Sequence, residues 1–232
     1  WRYQDIGAVF SQVPLGLYSE AAFHEKIEND LAWIDKKARK HTYIMEQIHE
    51  NHDLIPLQFC TIYKDSQSID HLLREHYTDF KQLLSKVKGN TEWTIKVYCQ
   101  EEKLLEKQKK EQAATMKAAL DEPHRGKAYL MKKKMESSIH ANLRDGLLSK
   151  LELIVGTIKK RFQFFSAGEC YDGDVAGSAG KMVYNCAILA PRGNTADVIE
   201  IVDKLNEAVY HDALRLELSG PWPPYSFTSL EL

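Results

Sequence analysis

Leu214-Arg215-Leu216-Glu217-Leu218-Ser219-Gly220-Pro221-Trp222-Pro223-Pro224-Tyr225-Ser226-Phe227 is the stretch on which the reading of this chain turns. Leu214, Leu216 and Leu218 alternate with Arg215, Glu217 and Ser219, the period of two expected of a half-buried strand. Gly220 then permits unusual φ, while Pro221, Pro223 and Pro224 fix φ and remove backbone donors. The ladder is therefore expected to end at Ser219 and give way to a stiff, extended tail. Trp222, Tyr225 and Phe227 hang large rings on that tail, and rings on a backbone with little freedom lose little entropy on burial. Two uses follow: a tail that closes over its own domain, or a docking surface built from Trp222, Tyr225, Phe227, Pro221, Pro223 and Pro224.

Working back from this strand, Val198, Ile201, Val202, Leu205 and Val209 share one face of a helix. Pro191-Arg192-Gly193-Asn194 turns the chain before it. Met182, Tyr184, Cys186, Ile188 and Ala190 alternate with Val183, Asn185, Ala187 and Leu189, an almost wholly apolar strand suited to the middle of a sheet. A glycine-rich loop from Asp172 to Gly180 joins it to a strand over 163–171. A long helix is predicted over 127–162, with Met131, Met135, Ile139, Leu143, Leu147, Leu151, Ile154, Ile158 and Phe162 as its buried stripe. Against it a polar helical segment over 101–112 is expected to fold back as an antiparallel partner, and Pro123 and Gly126 interrupt the chain between them.

The first hundred residues carry a similar alternation. A short strand is expected over 3–10. A long helix starting near Asn29 or earlier follows, its apolar face marked by Ile27, Leu31, Ile34, Ala38, Met45 and Ile48. Leu54 to Tyr63 reads as a strand whose pairing begins after Pro56. Asp65 is a good N-cap for an amphipathic helix carrying Ile69, Leu72, Leu73, His76, Tyr77, Phe80, Leu83, Leu84 and Val87, which Gly89-Asn90 stops. Trp93, Ile95 and Val97 then mark another strand. The order of elements in both halves suggests an α+β protein of two modified ferredoxin-like, split βαβ units. Residues 1–100 would form the first, 101–126 a polar helix or linker, and 127–232 the second with its long helix and aromatic tail.

The totals agree with a globular chain. Its 232 residues are 44% hydrophobic and 28% charged with a formal net charge of −2, which leaves no basic excess for phosphates and argues against a nucleic-acid partner. Cys60, Cys99, Cys170 and Cys186 are widely spaced among apolar or strand-like neighbours, and read as buried thiols of a reducing, cytoplasmic compartment. No apolar run approaches the about 18 to 20 residues of a membrane span, so no lipid membrane is expected as a partner. The chain opens on Trp1 and not Met, so a preceding segment is expected.

Chemistry is sparse along this chain. His49 and His52 share a helix face, and His71 and His76 flank another, but no cysteine or carboxylate completes a metal-binding set; cations near a helix C-terminus explain the first pair. The loop before Lys181 lacks the spacing of a phosphate loop, with Val175 and Met182 at deciding positions and a strand where a helix should follow. No nucleophile elbow or activated cysteine is present. The lysine clusters 132–134 and 159–161 lack interleaved aromatics. No catalytic, cofactor-binding or metal residue is assigned, no cofactor is expected, and the chain does not read as an enzyme.

The run Gly220-Pro221-Trp222-Pro223-Pro224-Tyr225-Ser226-Phe227 after Leu214 to Leu218, with Lys181-Met182-Val183-Tyr184-Asn185-Cys186-Ala187 and Ile55-Pro56-Leu57-Gln58-Phe59, resembles the gas vesicle GvpL/GvpF family. Asp30-Leu31-Ala32-Trp33 through His41 and Glu92-Trp93-Thr94-Ile95-Lys96-Val97 fit it in the same order. The resemblance implies a two-domain accessory or minor structural protein of gas vesicles, cytoplasmic and associated with them. It would help nucleate or assemble the shell by contacting the hydrophobic shell protein and other accessory proteins. Self-association stays open, as does residence in the vesicle wall. The alternative is a small-ligand-binding enzyme of ferredoxin-like fold. Where the family usually has Pro-Leu-Arg-Phe-Gly this chain has Pro56-Leu57-Gln58-Phe59-Cys60, and the family's first, Tyr-rich strand ending in Gly-Ile is absent.

Overall fold

A computed structural model of the chain describes residues 1–107, 110, 125–170 and 180–229. These form two compact units, one of Trp1–Glu92 with Pro221–Leu232 and one of Trp93–Gly220. The division departs from the expected split into 1–100, 101–126 and 127–232. The chain crosses between units inside two strands and not in a linker, and the aromatic tail belongs with the N-terminal residues.

In the first unit, β1 (Arg2–Tyr3) and β2 (Ile6–Gly7) form a tight antiparallel pair. The single strand expected over 3–10 is broken because Gln4 takes φ of 51° and turns the chain. A short helix α1 (Leu15–Tyr18) precedes α2 (Glu20–Asn29) and α3 (Leu31–His49). The continuous inward stripe expected here does not form. The Asp30 carboxylate accepts from the Trp33 N–H at 3.1 Å, capping a new helix and breaking the 3.6-residue phase. Ile27 and Leu31 are consequently 43% and 69% exposed.

Residues 54–63, expected as a strand, have no strand in the structure. Pro56 lacks a donor, and the Thr61 N–H and hydroxyl both turn back on the Gln58 carbonyl, at 3.1 and 2.8 Å, so the backbone groups a ladder would use are spent locally. Asp65 caps α4 (Ser66–Glu75), its carboxylate accepting from the Ser68 N–H at 2.8 Å. His76 leaves helical geometry and separates α4 from α5 (Tyr77–Val87). The stripe nonetheless buries as the spacing predicts: Ile69, Leu73 and Phe80 form a small core with Ile6 of the N-terminal pair. Polar clasps surround it. The Trp1 indole donates to Asp70 at 3.0 Å, and Asp5 accepts from the Tyr77 hydroxyl at 2.7 Å and the Lys81 ammonium at 2.6 Å.

The sheet lies mainly in the second unit. β3 (Asn90–Cys99) is followed by a helix over 101–107 (α6), α7 (Arg125–Arg161), β4 (Phe164–Ala167), β5 (Lys181–Pro191), α8 (Thr195–Val209) and β6 (Leu214–Trp222). The four strands order as β4-β5-β3-β6, with β4 and β5 antiparallel and Phe165 opposite Ile188. From β3 onward the sheet strands and their two covering helices, α7 and α8, therefore read β-α-β-β-α-β, the split βαβ pattern. Its opening strand is the one assigned to the first half. No comparable sheet exists among the described residues before β3, so the ferredoxin-like reading of residues 1–100 is corrected: β1 and β2 pair only with each other, and residues 54–63 form no strand.

The core of this unit is one apolar cluster. Ile95 and Val97 of β3, Ile154 and Ile158 of α7, Cys186, Ile188 and Ala190 of β5, and Val198 and Val209 of α8 are almost completely buried. Leu214 and Leu216 close it from β6. Gly180 is demanded by packing, since a Cβ there would lie 2.5 Å from the Cys99 carbonyl oxygen. The Met131, Met135 and Ile139 side chains, residues 108, 109, 111 and 112 of the expected polar helix, the Pro123 interruption and most of the loop before Lys181 lie outside the described residues. β6 does not stop at Ser219 but runs through Gly220, at φ of 135°, to Trp222. It is an edge strand, where proline's missing donor is tolerated. The cysteines also divide: Cys99 and Cys186 are buried, Cys60 is partly buried and Cys170 is exposed, which corrects the expectation of four buried thiols.

Candidate functional site

The tail after Gly220 is built by its prolines. Pro223 and Pro224 fix φ and are fully buried. The Tyr225 N–H donates to the Pro223 carbonyl at 2.8 Å and the Phe227 N–H to the Pro224 carbonyl at 3.2 Å, forming a 3-10 turn over Tyr225–Phe227. The Thr228 hydroxyl closes it on the Pro224 carbonyl at 2.8 Å.

Polar groups of the first unit hold this turn in place. Glu92 is buried, and its two carboxylate oxygens accept from the Ser226 N–H at 2.8 Å and hydroxyl at 2.7 Å. Burial pushes the Glu92 carboxyl above its ordinary range, and the bonds from Ser226 oppose that shift. The Thr91 hydroxyl donates to the Trp222 carbonyl at 3.0 Å. Its single proton is thereby used, so the buried His49 Nε2, 3.2 Å from the same oxygen, carries a hydrogen toward it. The Lys86 ammonium reaches the Phe227 carbonyl at 3.2 Å and lies 5.6 Å from the centre of the Phe227 ring.

The six tail residues singled out from sequence do not act together. Phe227 is 5% exposed and joins Pro223 and Pro224 in the interior, whereas Trp222 and Tyr225 remain 37% and 36% exposed beside the exposed Pro221. The Tyr225 hydroxyl lies 3.3 Å from His41 Nε2, itself 3.2 Å from the Leu57 carbonyl. A carbonyl only accepts, so His41 Nε2 bears a hydrogen. Burial, with the Glu46 charge second, raises the Tyr225 phenol. The arrangement sets two large rings at the surface on a backbone constrained by Pro221, Pro223, Pro224 and the 3-10 turn, and it presents no activated nucleophile.

Glu92, Ser226, Thr91 and Lys86 were not given a role from sequence, and His49 was read there only as a cation near a helix C-terminus. The available signal was an acid, Glu92, set directly before the buried Trp93 in a strand, where a solvated side chain is out of place. His49 does end α3 as its spacing implied, but it is buried and bonded to Thr91. Among the described residues no group of three or more His, Cys, Asp or Glu could hold a metal ion, and no helix is long and apolar enough to cross a membrane.

Three comparisons bear on this geometry. The family model for gas vesicle synthesis protein GvpL/GvpF matches residues 1–229. Gas vesicle protein L of Streptomyces sp. is 29% identical over 99% of this chain and 82% of its own length. Gas vesicle protein F of Dolichospermum flosaquae is 23% identical over 90% of this chain and 88% of its own. The crystal structure of gas vesicle protein GvpF from Microcystis aeruginosa superposes with a TM-score of 0.55 and 22% identity, covering 82% of this chain and 76% of that one; at this identity it speaks to the fold alone.

Proposed function

The chain belongs to the gas vesicle synthesis protein GvpL/GvpF family, and on that footing we propose that it acts in gas vesicle assembly by binding the hydrophobic shell protein and other accessory proteins. Shielding an aggregation-prone apolar face until it joins the growing wall is the physical task such a helper performs. The observation that carries this reading is the division of the tail. Pro223, Pro224 and Phe227 are in the interior, while Trp222 and Tyr225 stand at the surface. The backbone entropy of presenting those rings has already been lost in folding, so burying them on a partner returns more of the hydrophobic gain as affinity.

Trp222→Ala combined with Tyr225→Ala removes the exposed rings and leaves the buried anchors untouched. The double variant should keep its far-UV circular dichroism. It should retain shell protein about 30-fold less well in a pull-down, the loss of about 2 kcal/mol expected at an aromatic hot spot. Unchanged retention by the folded variant takes the tail out of the interface.

A further inference from the structure

We propose that the Asn206 side chain is an edge guard that occupies the backbone of β6 and keeps this strand from pairing with the same strand of a second copy of the chain. β6 is the outer strand of the sheet, and an uncovered edge of alternating leucines is a template for another strand. Asn206 lies on α8, between the buried Leu205 and the buried Val209. Its carboxamide oxygen accepts from the Leu216 N–H at 2.7 Å, and its amide nitrogen donates to the Leu216 carbonyl at 3.1 Å.

A residue of an antiparallel hydrogen-bonded pair exchanges one N–H and one C=O with its opposite. The Asn206 carboxamide reproduces that exchange at Leu216, satisfying both groups with a single side chain. A strand approaching this edge meets an occupied position in the middle of Leu214-Arg215-Leu216-Glu217-Leu218. Gly220 and Pro221 lie beyond it, and a proline is itself a poor partner for an incoming strand. The second copy is the committed occupant because its β6 is likewise last in the strand order and, once Asn206 is removed, offers the same Leu216 N–H and carbonyl. Two such edges can meet about a two-fold axis, each strand presenting identical groups to the other.

Asn206→Ala removes both bonds, and Asn206→Asp keeps the acceptor for the Leu216 N–H but has no donor for its carbonyl. Each is compared with the unaltered chain by light scattering behind size exclusion over a range of concentrations, with near-UV circular dichroism as the check on folding. Asn206→Ala should show about a doubling of molar mass as concentration rises, with Asn206→Asp between it and the unaltered chain. In the associated form the Leu216 amide should stay protected in hydrogen exchange. A folded Asn206→Ala that keeps the unaltered mass at every concentration overturns the proposal, even if its melting temperature falls, since Asn206 would then only tether α8 to β6. Should Asn206→Ala not fold, the same two outcomes are read from Asn206→Asp.

Discussion

The two units reach order by different means. The second rests on one apolar cluster whose central residues, among them Ile95, Ile154, Ile158 and Ile188, have no measurable exposure. In the first, Ile69, Leu73, Phe80 and Ile6 form a much smaller centre, and buried or rim polar groups do the rest: Asp5 with Tyr77 and Lys81, Asp70 with Trp1, and Glu92 with Ser226. Apolar packing resists deletion of single atoms poorly but is indifferent to pH and sequence detail at its surface. Hydrogen-bonded closure depends on particular donors, acceptors and backbone conformations.

The largest effect should come from the second unit. Ile188 is fully buried on β5, so Ile188→Ala loses its transfer free energy and leaves a cavity, together about 2 to 5 kcal/mol. Denaturant unfolding followed by hydrogen exchange of β5 and β3 peptides reads this loss. A change below about 1 kcal/mol would mean that the cluster collapses onto the gap and that the contrast with the first unit is overstated.

A smaller effect is expected in the first unit, at the position where the sequence departs from its family. Cys60, standing where the family usually has Gly, takes φ of 66°. A residue with a Cβ costs about 1 to 2 kcal/mol in that region, partly offset by the greater freedom of glycine in the unfolded chain. Cys60→Gly should therefore raise stability by about 0.5 to 1 kcal/mol. Cys60→Val should lower it, since a β-branched side chain fits φ above zero badly. Equal melting temperatures for the two variants would show that the loop relaxes and that backbone conformation there is not a constraint.

The same contrast explains what could be read from the sequence. β5, α7 and α8 announce themselves because burial on an extensive apolar cluster imposes a strict period on Cys186, Ile188 and Ala190, or on Val198, Val202 and Val209. The stripe of α4 and α5 was legible for that reason, and Asp65 for its cap. The partition of the chain was not, because β3 and β6 each belong to both units and no change of composition marks a crossing inside a strand. Residues 54–63 look like a strand by residue type, yet a turn of hydrogen bonds to Gln58 decides their shape. At the candidate site, the rings were evident but their division was not. Which ring is buried depends on Glu92, Thr91 and Lys86, far away in the chain, and pairwise hydrogen bonds leave no periodic trace.

The smallest effect tests whether closure of the tail is titratable. Burial raises the Glu92 carboxyl above its ordinary range although Ser226 donates two bonds to it. The folded state therefore holds this proton more tightly than the unfolded state does. Stability contributed through Glu92 is fully present below its unfolded pKa and is lost as pH rises through the folded value. Glu92→Gln keeps an acceptor for Ser226 and cannot ionise, so the variant should lack this slope. Measured as melting temperature against pH, the unaltered chain should fall relative to Glu92→Gln on rising through the acid range, then run parallel to it toward neutrality. Parallel profiles throughout would show that the bonds from Ser226 balance burial. The tail would then be held by Pro223, Pro224 and Phe227 in the same apolar manner as the second unit, and the distinction between the units would not extend to the candidate site.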